Sequence, residues 1–355
     1  MLSAGAAAAG LGLGLLSGCS PGGSAAGGGG RSLRVSAYGG NFEEAMKTYV
    51  YPVFTAKTGI RVDSQPQPAG VQFLLQLIEA NKAGQAPMDV CIAAATDVMR
   101  GRKAGLWRTY DAAKLTNLGN LTDNYIAKSP QGIDGVGALG WYMTMVTNPN
   151  LIQPDPTSWE IFWDPKYPNA WGLSGGGQSG MYEITAQTYF GGTEILNTED
   201  GIRQVAAKMA GLKPNTKLWW ESEGTMQTAL ENGEVKGGVY FADVAQTLKA
   251  SGTPLKVIYP KEGPVIDFGS WCQPTSSTKT EEALEFINFM LTPEAQGLVC
   301  TKVHAPPLIR QELLTVSPEE LAKTVSPVPP IAVNLQARFA HLDFMVSQFT
   351  AMVAS

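Results

Sequence analysis

Apolar and polar positions alternate over Leu33-Arg34-Val35-Ser36-Ala37-Tyr38, a period of two that predicts a strand, and Gly39-Gly40 turns the chain after it. Asn41 is placed to cap a helix over 42–58, with Glu43 and Glu44 in the first turn near its positive dipole end. Gly59 stops that helix, and Ile60-Arg61-Val62 opens the next strand. Phe73, Leu74, Leu77 and Ile78 share one face of a predicted helix over 71–83. Residues 89–94 read as a short strand of the buried type, followed by a helix to Gly105. This β-α-β-α-β rhythm predicts a parallel sheet with helices on both faces.

A long apolar run over 136–148 predicts a strand and leads into a Pro-rich turn at Pro149, Pro154 and Pro156. A second α/β series then follows. Its predicted strands are 171–174, 218–220, 238–241, 257–259 and 266–273, and its predicted helices are 179–190, 200–209, 225–231 and 243–250. Helices over 281–290, 293–300, 318–323 and 331–353 complete the chain.

Composition narrows the function. With 355 residues there is room for two domains, each with its own core. Charged residues are 16% of the chain and the net charge is −5 with no basic block, which argues against nucleic acid as a partner. Only His304 and His341 are available for a histidine metal site or a histidine general base. The run Gly175-Gly176-Gly177-Gln178-Ser179-Gly180 lacks the spacing of a nucleophile elbow. No C-x-x-C or Cys/His cluster suggests zinc. A binding protein without cofactor or metal is therefore expected, rather than an enzyme.

The first 18 residues, rich in Ala, Gly and Leu, read as a signal peptide, and Leu16-Ser17-Gly18-Cys19 looks like a bacterial lipobox in which Cys19 carries lipid. Residues 19–31, dominated by Gly and Ser, read as a flexible tether. No Lys or Arg precedes Arg31, so a basic segment upstream of Met1 is expected. An exported compartment permits disulfides among Cys91, Cys272 and Cys300; Cys272–Cys300 is the first pairing to test, and three buried thiols are the other reading.

Several segments together resemble the bacterial periplasmic solute-binding proteins of the spermidine/putrescine type. They are Tyr38-Gly39-Gly40 with 54–62 (FTAKTGIRV), Gly105-Leu106-Trp107 with 115–118 (LTNL), and Pro156-Thr157-Ser158-Trp159 with 163–167 (WDPKY). Further on come 231–235 (ENGEV), 259–263 (YPKEG), 283–289 (ALEFINF) and 291–296 (LTPEAQ). The resemblance implies the two-lobed periplasmic-binding-protein fold of type II, each lobe a mixed, mainly parallel sheet flanked by helices. Lobe one would take 32–140 plus 268–313, and lobe two 141–267 plus 314–355. It also implies a monomer, held at the membrane only through its lipid, that gives a small solute to the permease subunits of an ABC importer. A sensor module is the alternative, and a periplasmic hydrolase the more distant one. A ferric-ion binder of a related branch would want adjacent tyrosines, and there is no Tyr-Tyr pair.

Ligands of open α/β sheets sit beyond the carboxyl ends of strands. That rule nominates Tyr38, Gly39, Gly40, Asn41, Thr96, Gln178, Ser179, Trp220, Ser222, Phe241 and Asp243, and Asp267 is added because it lies where the chain crosses back to lobe one. By the resemblance, the carboxylates of polyamine binders fall at Gln178, Met181 and Gly269, none of them acidic. A cationic ligand would then rely on Glu221, Asp243 or Asp267, with aromatic faces from Tyr38, Trp220 and Phe241. The Gly/Ser loop before a helix would instead suit an anionic or zwitterionic solute.

Overall fold

A computed structural model describes residues 31–39, 41–67, 71–176 and 180–354. The expected signal segment, Cys19 and the tether up to residue 30, together with Gly40, Gln178 and Ser179, lie outside the described residues. The strands are β1 (Ser32–Tyr38), β2 (Arg61–Gln67), β3 (Val90–Ala94), β4 (Ile126–Ser129), β5 (Gly132–Thr147) and β6 (Trp171–Ser174). They continue with β7 (Thr216–Trp220), β8 (Gly237–Phe241), β9 (Lys256–Ile258), β10 (Val265–Cys272) and β11 (Ile331–Ala332).

The sheet runs in the order β2-β1-β3-β10-β5-β8-β6-β7, with β11 on β10 and both β4 and β9 on β5. Two groups are parallel: β2-β1-β3 at one end and β8-β6-β7 at the other. Parallel strands are covered by helices on both faces, and Val90, Cys91 and Ile92 are accordingly all fully buried. Antiparallel pairing falls on β5 and β10, which pair with each other and join the two groups.

Residues Arg31–Ser355 form a single packed unit, but its apolar interior is divided. One core draws on residues between Leu33 and Tyr142 and between Ile266 and Ile309, with Phe54, Phe286 and Trp271 among its large side chains, and a small separate core beside it holds Phe73, Leu74, Leu77, Cys91, Trp107 and Cys272. The second large core draws on residues between Met143 and Leu255, on Val265 and on residues between Ile331 and Met352, with Trp159, Trp171 and Tyr182. Along β5 ownership changes between Tyr142 and Met143, and along β10 between Val265 and Ile266.

Local chemistry explains the ends and the departures. Gly59 takes φ 72° and its N–H closes on Thr55 O at 2.8 Å, a left-handed helix stop that a side chain would strain. The predicted helix over 42–58 is broken by a π-helical stretch, Met46–Val50, just before Pro52, whose missing N–H breaks the regular ladder. The predicted helix over 331–353 starts late: Ile331 donates its N–H to Pro264 O at 2.8 Å and pairs with Val265, and the helix runs Leu335–Ala354. Pro329 and Pro330 keep the chain extended into that pairing. The short helix Pro318–Ala322 packs on Val299–Val303, and the Thr324 hydroxyl meets Cys300 O at 3.3 Å, so the chain stays on the first core past residue 313.

The cysteines correct one expectation. All three described cysteines are buried and free, and Cys272 stands opposite Cys91 in the β3–β10 ladder rather than against Cys300. Sheet pairing decides this: Cys300 lies in the helical stretch Val299–Val303, off the sheet.

Candidate functional site

The place where the two cores meet carries the groups with unusual surroundings. Trp141 on β5 and Asp267 on β10 are directly opposite in the antiparallel register, so their side chains share a face of the sheet. Each belongs to neither core and each is half-buried. Tyr38, at the end of β1, sets its ring edge-on to Trp141 (centroids 6.2 Å apart) and to Phe42 (5.9 Å). The next row of the ladder, towards the second core, holds Val265, Met143 and Phe241 in line across β10, β5 and β8. Residues from both parallel groups therefore converge here.

Gly269 explains how Tyr38 and Trp141 can close up. A Cβ there would collide with Ile92 Cγ2 and stand 3.3 Å from Tyr38 Oη. Met181 is fully buried in the second core. An acidic side chain at 181 would be buried in the second core, and one at 269 would crowd Tyr38 and Trp141. Gln178, the third such position, is among the residues outside the description.

Charge is supplied differently. Asp267 makes one short contact, Oδ1 accepting its neighbour Phe268 N–H at 2.8 Å, and forms no ion pair among the described residues. Burial pushes its carboxyl above the usual range; Arg338 and the Phe268 N–H pull it down, and Glu183 pushes it up. Behind it, Arg338 is 2% exposed and grips Glu183 through two hydrogen bonds of 2.9 Å, from Nε to Oε1 and from Nη2 to Oε2. Burial works against the Arg338 charge, but Glu183 and Asp267 outweigh it and raise its pKa. Asp97, in the first turn of the helix Ala95–Lys103, is raised by burial and partly offset by Arg100. The Tyr38 phenol is raised by burial first, then by the negative charges of Asp267 and Asp97. Summed, the junction holds the three carboxylates of Asp97, Glu183 and Asp267 against Arg338 and Arg100. It favours a cation.

The other nominated residues divide. Thr96 is half-buried in the first turn of Ala95–Lys103, and Gly39 is exposed at the end of β1. Asn41 begins the helix Asn41–Ala45. Phe241 packs on Trp220 (5.9 Å) and Tyr240 (5.8 Å) and is half-buried. Trp220 is 4% exposed with its Nε1–H on Val239 O at 3.2 Å, so its indole is largely spent on the second core. The Ser222 hydroxyl caps the helix Glu223–Glu231, accepting from Thr225 N–H at 3.3 Å. Asp243 is exposed in the first turn of Ala242–Ala250; its charge, after burial, helps push the carboxyl of Glu223 and the phenol of Tyr259 upward.

Sequence reasoning passed over Trp141, Asp97, Glu183 and Arg338. A signal existed for Trp141: it stands beside Tyr142 in the apolar run 137–146, and adjacent strand residues point to opposite faces, so two large aromatics there serve two different surroundings. Arg338 and Glu183 are 155 residues apart, and nothing local announces their pairing.

Two surface hollows, of about 710 Å³ beside Pro293, Leu298 and Val316 and about 420 Å³ beside Leu118, Ile126 and Ile133, lie away from this junction. Neither joins residues of both cores, so the junction is the better candidate. Among the described residues no group of three or more His, Cys, Asp or Glu could hold a metal ion, and no helix is long and apolar enough to cross a membrane.

Two α/β halves joined by crossing strands, with half-buried polar and aromatic groups at the seam, define a two-lobed periplasmic binding protein of type II. The bacterial extracellular solute-binding protein family matches residues 52–320, and the chain belongs to that family. It is 28% identical over 271 residues to the spermidine/putrescine-binding periplasmic protein of Salmonella typhimurium, covering 75% of each chain. It is 23% identical over 325 residues to the gamma-aminobutyric acid-binding protein of Pseudomonas aeruginosa, covering 89% of this chain and 87% of that one. Its fold matches a crystal structure of an ABC transporter substrate-binding protein from Bradyrhizobium japonicum with a TM-score of 0.75 at 18% identity, over 91% of this chain and 99% of the other.

Proposed function

We propose that this chain is the extracytoplasmic receptor of an ABC importer and that it captures a small solute bearing a protonated amine between its two lobes. The observation that carries the reading is the half-buried trio Tyr38, Trp141 and Asp267 at the change of cores. Asp267 supplies a carboxylate with no ion-pair partner among the described residues, and the two aromatic rings supply negative π faces that attract an ammonium group. The relatives named for spermidine/putrescine and for gamma-aminobutyric acid both carry ligands with primary amines, which supports the same class.

In this reading Tyr38, Trp141, Asp267 and Phe241 form the walls, with Gly39 and Thr96 at their edge. The lobes are assigned as 32–140 plus 268–313 and 141–267 plus 314–355, with one change. Residues 314–330 go with lobe one, because Pro318–Ala322 and Thr324 rest on it. Rotation about β5 and β10 would open and close the crevice, with no chemical change to the guest. Delivery to permease subunits, monomeric state and anchoring through lipidated Cys19 belong to the same proposal.

A thermal-shift screen of the chain from residue 32 against diamines, ω-amino acids, quaternary amines and organic anions tests it. An amine at 100 times its dissociation constant raises stability by about 2.7 kcal/mol. Stabilisation by organic anions alone would overturn the cation-site reading.

A further inference from the structure

We propose that Cys91 and Cys272 form a disulfide that fastens β3 to the crossing strand β10 when the chain folds in an oxidising compartment. The two residues are direct partners in the antiparallel ladder, alongside Trp271–Ile92 and Ser270–Ala93. Partners of that kind have Cα atoms about 4.5–5.5 Å apart, within the span a disulfide needs. Their side chains also share a face: both thiols lie in the small core of Phe73, Leu74, Leu77 and Trp107, whereas Ile92 and Trp271 turn to the larger core on the opposite side. Both are buried and free among the described residues.

The position gives the bond a purpose. Three residues further along the same ladder, Ala94 pairs with Gly269 and the chain enters the Ala95-Thr96 turn. A bond at 91–272 would hold that turn of lobe one against the strand bearing Asp267. It would also close a chain loop that contains lobe two apart from its C-terminal segment after residue 330.

The chemistry is thiol–disulfide exchange with a disulfide-bearing oxidant, a protein oxidoreductase in the cell or oxidised glutathione in the tube. One thiolate attacks the oxidant's disulfide and breaks it, giving a mixed disulfide. The second thiolate then attacks that bond, forming Cys91–Cys272 and releasing the oxidant's remaining sulfur, so that the oxidant ends as two thiols (one dithiol for an oxidoreductase, two glutathione molecules in the tube) holding the two protons and two electrons the cysteines lost. Burial raises both thiols far above their ordinary range, so exchange belongs to the folding chain, before β10 docks on β3.

The proposal rests on the exported reading for its cellular setting, but its test does not. The full chain is denatured, reduced, and refolded in a glutathione redox buffer; remaining thiols are alkylated and the digest is read by mass spectrometry. The expected result is one cross-linked peptide pair joining Cys91 to Cys272, lighter by two hydrogens than the separate peptides, with Cys300 alkylated. Refolded protein with both Cys91 and Cys272 alkylated, or with Cys300 in the link, would overturn it. Because an oxidant is supplied, neither outcome depends on where the cell folds the chain or on which solute it binds.

Discussion

Replacing Glu183 by Gln tests whether the seam rests on a true buried ion pair. Glu183 is fully buried and accepts two 2.9 Å hydrogen bonds from Arg338, itself 2% exposed. Glutamine keeps the shape but removes the charge, and one of its two terminal groups becomes a donor facing a donor. Arg338 is then left buried with Asp267 as its nearest compensating carboxylate. Removing one partner of a buried pair costs about 3–5 kcal/mol. Measured by urea unfolding at neutral pH, the midpoint should fall by roughly 1–2 M, given a slope near 2–3 kcal/mol per molar. The double variant Glu183→Leu/Arg338→Met should recover much of the loss, since apolar replacement of both partners is often near neutral. A loss below about 1 kcal/mol for Glu183→Gln, the range of exposed pairs, would show that water reaches the pair and would refute the reasoning.

Three further outcomes are expected. Gly269→Asp, which restores an acidic residue where polyamine binders have one, should destabilise by about 1–3 kcal/mol through collision with Ile92 and crowding of Tyr38 Oη, visible as a lowered Tm. Trp141→Ala should weaken amine binding about tenfold by calorimetry, because it removes the ring against Tyr38 that faces the solute. Amine affinity should also depend on pH: the carboxyl of Asp267 is raised in the empty protein, and an ammonium ion beside it lowers it again, so binding releases a proton. Affinity should therefore fall as pH drops through the raised Asp267 value and level off above it; a flat profile over that range would count against Asp267 as the ligand's partner.

Elements with a strong period or a stop residue were legible before any coordinates. β1, the helix over Val71–Lys82, β5 and the Gly59 stop rest on interactions within a few residues, and patterns of that range survive into the fold. What was hidden depends on partners far away in the chain. Ile331 looks like a helix start until β10 offers it a ladder, and Cys272 looks free to meet Cys300 until β3 places Cys91 beside it. At the candidate site, a strand end pointed to Tyr38, since loops at those ends are where open sheets bind, and the crossing back to the first lobe pointed to Asp267. Trp141 escaped because it sits mid-strand, at the one place along β5 where the side chains stop belonging to one core and have not begun to belong to the other. Ser222 and Trp220 show the reverse: residues suited to a ligand whose polar atoms answer a helix end and a strand carbonyl.

Calorimetric titration of an amine solute into the unaltered chain and into Asp267→Asn addresses the seam most directly. Loss of a hydrogen bond between charged groups weakens binding by about 1.5–3 kcal/mol, so the asparagine form should bind roughly 10- to 100-fold less tightly while keeping its fold. Equal dissociation constants for the two proteins would mean that the guest is held somewhere other than between the crossing strands.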